Sequence, residues 1–111
     1  MAQIELIAAA RFFNEGSRGM RGGAAQNDKI WGIARVQGTL VRFWGRRNGG
    51  LKFKTEIGGL RPLLNTLSEK TAKGYDEMGP RTTAELCPTL MSDLSSHYYS
   101  AMSRGKLNTR H

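Results

Sequence analysis

The stretch from residue 29 to residue 57 constrains the fold more than any other part of the chain. Two glycine turns, Gln37-Gly38 and Asn48-Gly49-Gly50, cut it into three short runs. Polar and apolar residues alternate along each run, which is the pattern of a half-buried strand. Short Gly-containing links between such runs make antiparallel hairpins. Residues 29–36, 39–46 and 51–57 therefore read as consecutive strands of a meander, an arrangement that can leave one face open.

Upstream, residues 3–13 read as a first strand, with Ile4, Leu6 and Ala8 alternating with Glu5, Ile7 and Ala9. Their alanine content also permits a helix. Residues 14–26 read as a loop, since Gly16, Gly19, Gly22 and Gly23 suit neither helix nor strand. With Arg18 and Arg21 this loop is either an ordinary hairpin connection or a basic flap lying on a phosphate backbone.

Downstream, Gly58-Gly59 ends the sheet and Pro62 suits the first turn of a helix. Leu60, Leu63, Leu64 and Leu67 form one helical stripe, expected to pack on the sheet. Lys70 and Lys73 fall in its last turn and Gly74 at its C-terminal cap. A second loop runs from Tyr75 through Met78, Gly79, Pro80 and Arg81. Leu86, Leu90, Leu94 and Tyr98, at steps of four, predict helix within 83–104. Pro88 divides it and leaves the firmer part at 89–102. Residues 105–111 read as a frayed basic tail. The expected class is α+β: an antiparallel sheet of about four strands with one helix packed across it, plus a C-terminal helical extension. The boundaries are 1–78 for the domain and 79–111 for the extension and tail.

Charge and alternation together raise the question of function. The 111 residues suffice for one modest core, and 17 Lys and Arg against 9 Asp and Glu leave a formal charge of +8. That balance favours polyanionic partners. If the third and fourth strands pair without a bulge, Val41, Phe43, Leu51, Phe53, Thr55 and Ile57 share an apolar face, expected to meet the leucine stripe. Arg42, Trp44, Arg46, Lys52, Lys54 and Glu56 share the other. There Trp44 either offers a flat surface to a sugar or base beside phosphate-neutralising cations, or packs under arginine stems or the C-terminal helix.

Trp44-Gly45-Arg46 at a strand end resembles the signature of WGR domains. Asn27-Asp28-Lys29-Ile30-Trp31 is similar to the family's Asn-Lys-aromatic segment, and Asn48-Gly49-Gly50 stands where the family has a Gly-containing turn. Glu69-Lys70-Thr71-Ala72-Lys73-Gly74-Tyr75 is similar to its Glu-Lys-Thr-x-x-Gly-Tyr helix ending. The likeness spans residues 5–75. It implies an antiparallel sheet crossed by a helix and, since WGR domains of poly(ADP-ribose) polymerases help recognise DNA ends, a DNA-binding module. By the same resemblance Trp44 would stack on sugar or base near an end. Arg46 would contact phosphate or bridge to another domain. The chain departs from the family in its shorter turn at Arg47-Asn48 and in the segment after Tyr75.

The resulting expectation is sequence-independent nucleic-acid binding, foremost to duplex DNA near ends or breaks, with RNA as the alternative nucleic acid. The site residues are Trp44, Arg46, Arg42, Arg47, Lys52 and Lys54, with about five phosphate contacts and a salt slope near −4 to −5. The competing expectation is a protein–protein adaptor using the same face or the Leu86, Leu90, Leu94 stripe, which could equally pack on its own sheet. Catalysis is not expected. His97 and His111 are isolated, as are Asp76, Glu77 and Asp93, and no nucleophile elbow, P-loop or metal-spaced cluster occurs. No cofactor or metal is implied. Cys87 is the single cysteine, which suits a reducing compartment. With no leader pattern in residues 1–13 and no run of spanning length, a cytoplasmic (nucleoid-associated, or nuclear) monomer is expected.

Overall fold

The computed structural model of the chain describes residues 3–14, 27–47 and 49–104. The expected basic flap around Arg18 and Arg21 and the basic tail lie outside the described residues. Four strands come first: β1 (Ile4–Asn14), β2 (Asn27–Val36), β3 (Thr39–Arg46) and β4 (Gly50–Glu56). Helix α1 (Leu60–Ala72) follows, then a short strand β5 (Asp76–Met78) and two helices, α2 (Pro80–Leu86) and α3 (Leu90–Ser103). The fold is α+β, a five-stranded antiparallel sheet in the order β4-β3-β2-β1-β5 with three helices.

The turns set the register. Gln37 and Gly38 both have positive φ, 51° and 80°, which matches the twist of a two-residue hairpin and places Trp31 opposite Trp44. β4 then pairs with β3 so that Lys52 lies opposite Trp44 and Lys54 opposite Arg42. A bulge between Leu6 and Ala8 shifts β1 against β2 and returns Ile7 and Ala8 to one face. The segment after Tyr75, expected as loop, contains β5, which adds to β1 through Ala9, Ala10 and Arg11.

Both faces of the sheet are covered, and not as the alternation alone suggested. Val41 and Phe43 were expected beneath the leucine stripe of α1. They lie instead in a core with Ile30, Ala34, Val36, Cys87, Leu90, Leu94 and Tyr98, beneath α2 and α3. Gly32 makes room there, because a Cβ on it would stand 2.2 Å from Phe43 Cζ. The leucines of α1 pack on the opposite face: Leu63 and Leu67 are buried against Ala10, Trp31 and Ile33, with Leu40, Trp44 and Leu60 at the margin. Leu64, also expected in the stripe, is 40% exposed. The physical reason is that β2 is apolar on both faces, so each face must be covered. α2 and α3 therefore share their core with the sheet across the expected boundary at 78/79. Pro88 does separate the two helices, and Leu90 and Leu94 of the C-terminal stripe are spent on the chain's own sheet.

Ile57, expected on the apolar face of the fourth strand, is 94% exposed because the strand ends at Glu56. Tyr75 N–H donates to Lys70 C=O at 3.0 Å and Gly74 takes φ 107°, closing α1 much as the sequence indicated. No helix among the described residues is long and apolar enough to cross a membrane.

Candidate nucleic-acid interface

The Trp44-Gly45-Arg46 motif ends β3 against the first residues of β4. Gly45 has φ 138°, and a Cβ there would lie 3.0 Å from Gly50 C=O, so backbone conformation and close strand approach both call for glycine. The turn it leads into keeps Arg46 exposed while Trp44 is half-buried.

Beside the motif is an open cleft of about 440 Å³ between the sheet and α1. Lys29, Trp31, Arg42, Trp44 and Arg46 line it from the strands, and Thr66, Lys70 and Tyr75 from α1 and its end. The described residues lining it include four cationic side chains and no carboxylate. Cross-strand pairing explains the grouping: Lys29 sits opposite Arg46 and Trp31 opposite Trp44, so one face of two strands repeats cation and aromatic. Tyr75 rests against Phe12, with ring centroids 5.5 Å apart, and the Lys70 ammonium lies 5.4 Å from its centroid. Burial pushes the Tyr75 phenol above its ordinary pKa, so it stays a neutral hydrogen-bonding group. A smaller recess, about 280 Å³, continues past the motif between Trp44, Arg46, Gly49, Gly50 and Lys52.

Not all the expected site residues stand free. Arg42 covers Trp44, its guanidinium carbon 4.7 Å from the ring centroid, and its Nε lies 3.2 Å from Glu56 Oε2. That approach is an ion pair without hydrogen-bond geometry, since the buried Nε has no partner that accepts from it among the described residues. Trp44 thus packs under an arginine, as one of its two sequence readings had it, and keeps part of its surface in the cleft.

Arg47 is directed elsewhere. Its Nε donates to Asp28 Oδ2 at 2.8 Å, and its Nη1 reaches the Leu86 carbonyl at the end of α2, at 3.4 Å. Arg11 grips the same carboxylate through both oxygens, at 2.8 and 2.9 Å. Hydrogen bonds from Arg11, and then from Arg47, hold the Asp28 carboxyl down at about 2 despite its burial. The structure therefore brings together Trp44, Arg46, Lys52 and Arg42, with Lys54 beside them on the exposed edge, and takes Arg47 into an internal ion cluster.

No family model, curated protein or solved structure matches this chain.

Sequence reasoning missed Lys29, Trp31, Lys70 and Tyr75 as parts of the cleft. The register fixed by Gln37-Gly38 was the available signal for the first two, because a two-residue turn sets residue 29 opposite 46 and 31 opposite 44. For Lys70 and Tyr75 the signal was weaker. They enter the site because α1 lies on the Trp44 face, which alternation in β3 and β4 does not reveal. Among the described residues, no group of three His, Cys, Asp or Glu side chains is placed to hold a metal ion.

Proposed function

We propose that the chain is a non-catalytic nucleic-acid-binding module that engages duplex DNA near an end or break through the cleft between α1 and the Trp44 face of the sheet. The observation that carries this reading is the cleft's lining, in which cations from two strands and a helix converge around Trp31, Trp44 and Tyr75 without a carboxylate. Cations neutralise phosphates, and an aromatic face supports a sugar or base without reading its identity, so affinity is gained with little sequence preference. The resemblance of Trp44-Gly45-Arg46 and the Lys70–Tyr75 region to WGR domains favours DNA ends over RNA. It is consistent with a cytoplasmic or nucleoid-associated monomer. Arg46, Lys29, Lys52, Lys54 and Lys70 are the cations assigned to phosphate. Arg42 orients Trp44, and Arg47 is not assigned.

Fluorescence anisotropy across a salt series tests the reading, with a short open-ended duplex against a closed dumbbell of the same sequence. About five phosphate contacts give a slope of log K against log salt near −4 to −5. Arg46→Ala should flatten that slope by about 1 without altering the thermal transition. Equal affinity for duplex and dumbbell would remove the preference for ends. Absence of binding to either at low salt would remove the nucleic acid.

A further inference from the structure

β4 is an edge strand. Its seven residues pair with β3 on one side, and among the described residues nothing pairs with the other. An unpaired edge exposes a row of backbone N–H and C=O groups that a further strand can complete. The two sides of this edge differ in chemistry. On the α1 side Lys52 and Lys54 are exposed. On the α3 side Phe53 is only partly buried, and Phe53, Ile57 and His97 line an open cleft of about 590 Å³ to which Lys54, Glu56 and Arg104 also contribute. Ile57, at the end of the edge, holds 94% of its surface in solvent.

We propose that this edge receives an extended peptide segment from a partner protein, one in which acidic side chains alternate with apolar ones. Added as a sixth strand, such a segment would set its carboxylates beside Lys52 and Lys54. Its apolar side chains would lie over Phe53 and Ile57 beside the His97 cleft. Strand alternation makes these two demands compatible, because neighbouring residues of the added strand face opposite sides. Charge complementarity selects this occupant over a second copy of the chain. Antiparallel pairing of two β4 edges about Phe53 would set Lys52 of each copy opposite Lys54 of the other, and like charges directly opposite are destabilising. The inference goes beyond nucleic-acid binding, and since it uses Lys52 and Lys54, which that reading assigns to phosphate, peptide and duplex would share these two cations.

The test uses the full chain and an end-blocked, fluorescein-labelled peptide, Glu-Val-Glu-Phe-Glu-Val-Glu, with a control that has the same residues in block order, all glutamates first. Expected is saturable binding of the alternating peptide, with the control weaker by about tenfold or more, a difference of about 1.4 kcal/mol. Those amides of residues 50–56 that point away from β3, every second one, should gain protection from hydrogen exchange in the complex. Reversing both charges, Lys52→Glu with Lys54→Glu, should weaken binding by about tenfold or more while leaving the thermal transition in place. Equal binding of the two peptides would overturn the proposal by reducing it to net charge, and so would unprotected β4 amides. Self-association of the wild-type chain that protects the same β4 amides would overturn it by making a second copy the occupant.

Discussion

On one face of the sheet Val41 and Phe43 lie beneath α2 and α3 with no accessible surface, whereas on the other Arg42 and Trp44 stand beside α1 and keep part of theirs. The first face is closed by shape. Gly32 receives the Phe43 ring, Phe43 leans toward Phe53 with centroids 6.4 Å apart, and Leu90 and Leu94 complete the layer. The second is closed only along the line of Leu63 and Leu67, and beyond that line it becomes a cleft rimmed by cations. A sheet with one sealed face has its stability anchored there, so the other can hold mutually repelling cations close together.

The contrast can be broken most forcefully at Gly32. Gly32→Ala forces the Phe43 ring out of its seat and should lower stability by about 3 kcal/mol in urea denaturation. A near-neutral result would mean that the sealed face is not tightly packed. Next in size is Asp28→Asn, which leaves Arg11 and Arg47 without their shared counter-charge. Since both arginines are partly solvated, the expected loss is about 2 kcal/mol at neutral pH.

The same carboxylate sets an acid limb. Its folded pKa, about 2, lies below the ordinary 3.8, so the folded state binds fewer protons than the unfolded one between these values. The stabilisation is complete above about pH 4 and drains away as pH falls towards 2, an effect Asp28→Asn should remove. An acid limb that persists unchanged in that variant would assign it to other groups.

Trp44→Ala sharpens the comparison from the open side. Trp44 is half-buried at the margin of its cluster, so the loss in stability should be about 1 kcal/mol, below the usual range for a core tryptophan. Duplex affinity should fall by about tenfold in the same variant. A stability loss matching that of Gly32→Ala would make Trp44 a core residue and the two faces alike.

The smallest expected effect belongs to His97, whose Nε2 lies 3.2 Å from Thr55 Oγ1. Burial, and then the charge of Arg104, holds its pKa below the ordinary 6.5, so folding favours the neutral ring. Stability attributable to it is full above that value and declines as pH falls through it. Replacement by Gln should remove a slope worth under about 1 kcal/mol, seen as thermal transitions that converge at alkaline pH.

Much of this architecture can be read from local pattern. The glycine turns and alternation give β2, β3 and β4, and the leucine spacing with Gly74 gives α1. β5 has no such mark, because Asp76-Glu77-Met78 is three residues long and lacks alternation. The inversion of the two faces has a different origin. Alternation pairs the apolar runs of β3 and β4 with the nearest helix, although Trp31 and Ile33 on the second face of β2 already require a cover of their own. In the candidate site Trp44, Arg46 and Lys52 are legible from strand alternation, whereas the removal of Arg47 depends on Asp28, 19 residues away, and on the end of α2.

The Asp28 cluster bears on how this chain can change over time. One carboxylate serves an arginine from β1 and another from the turn after β3, and the second also reaches the C-terminal end of α2. Loss of Asp28 leaves two arginines without their counter-charge, whereas loss of either arginine leaves the carboxylate paired with the other, so the carboxylate is the position hardest to change alone. Descendants and cousins of this sequence that lose Asp28 should therefore lose both arginines with it, giving the lineage a covarying fingerprint separate from the tryptophan and arginine of its surface motif.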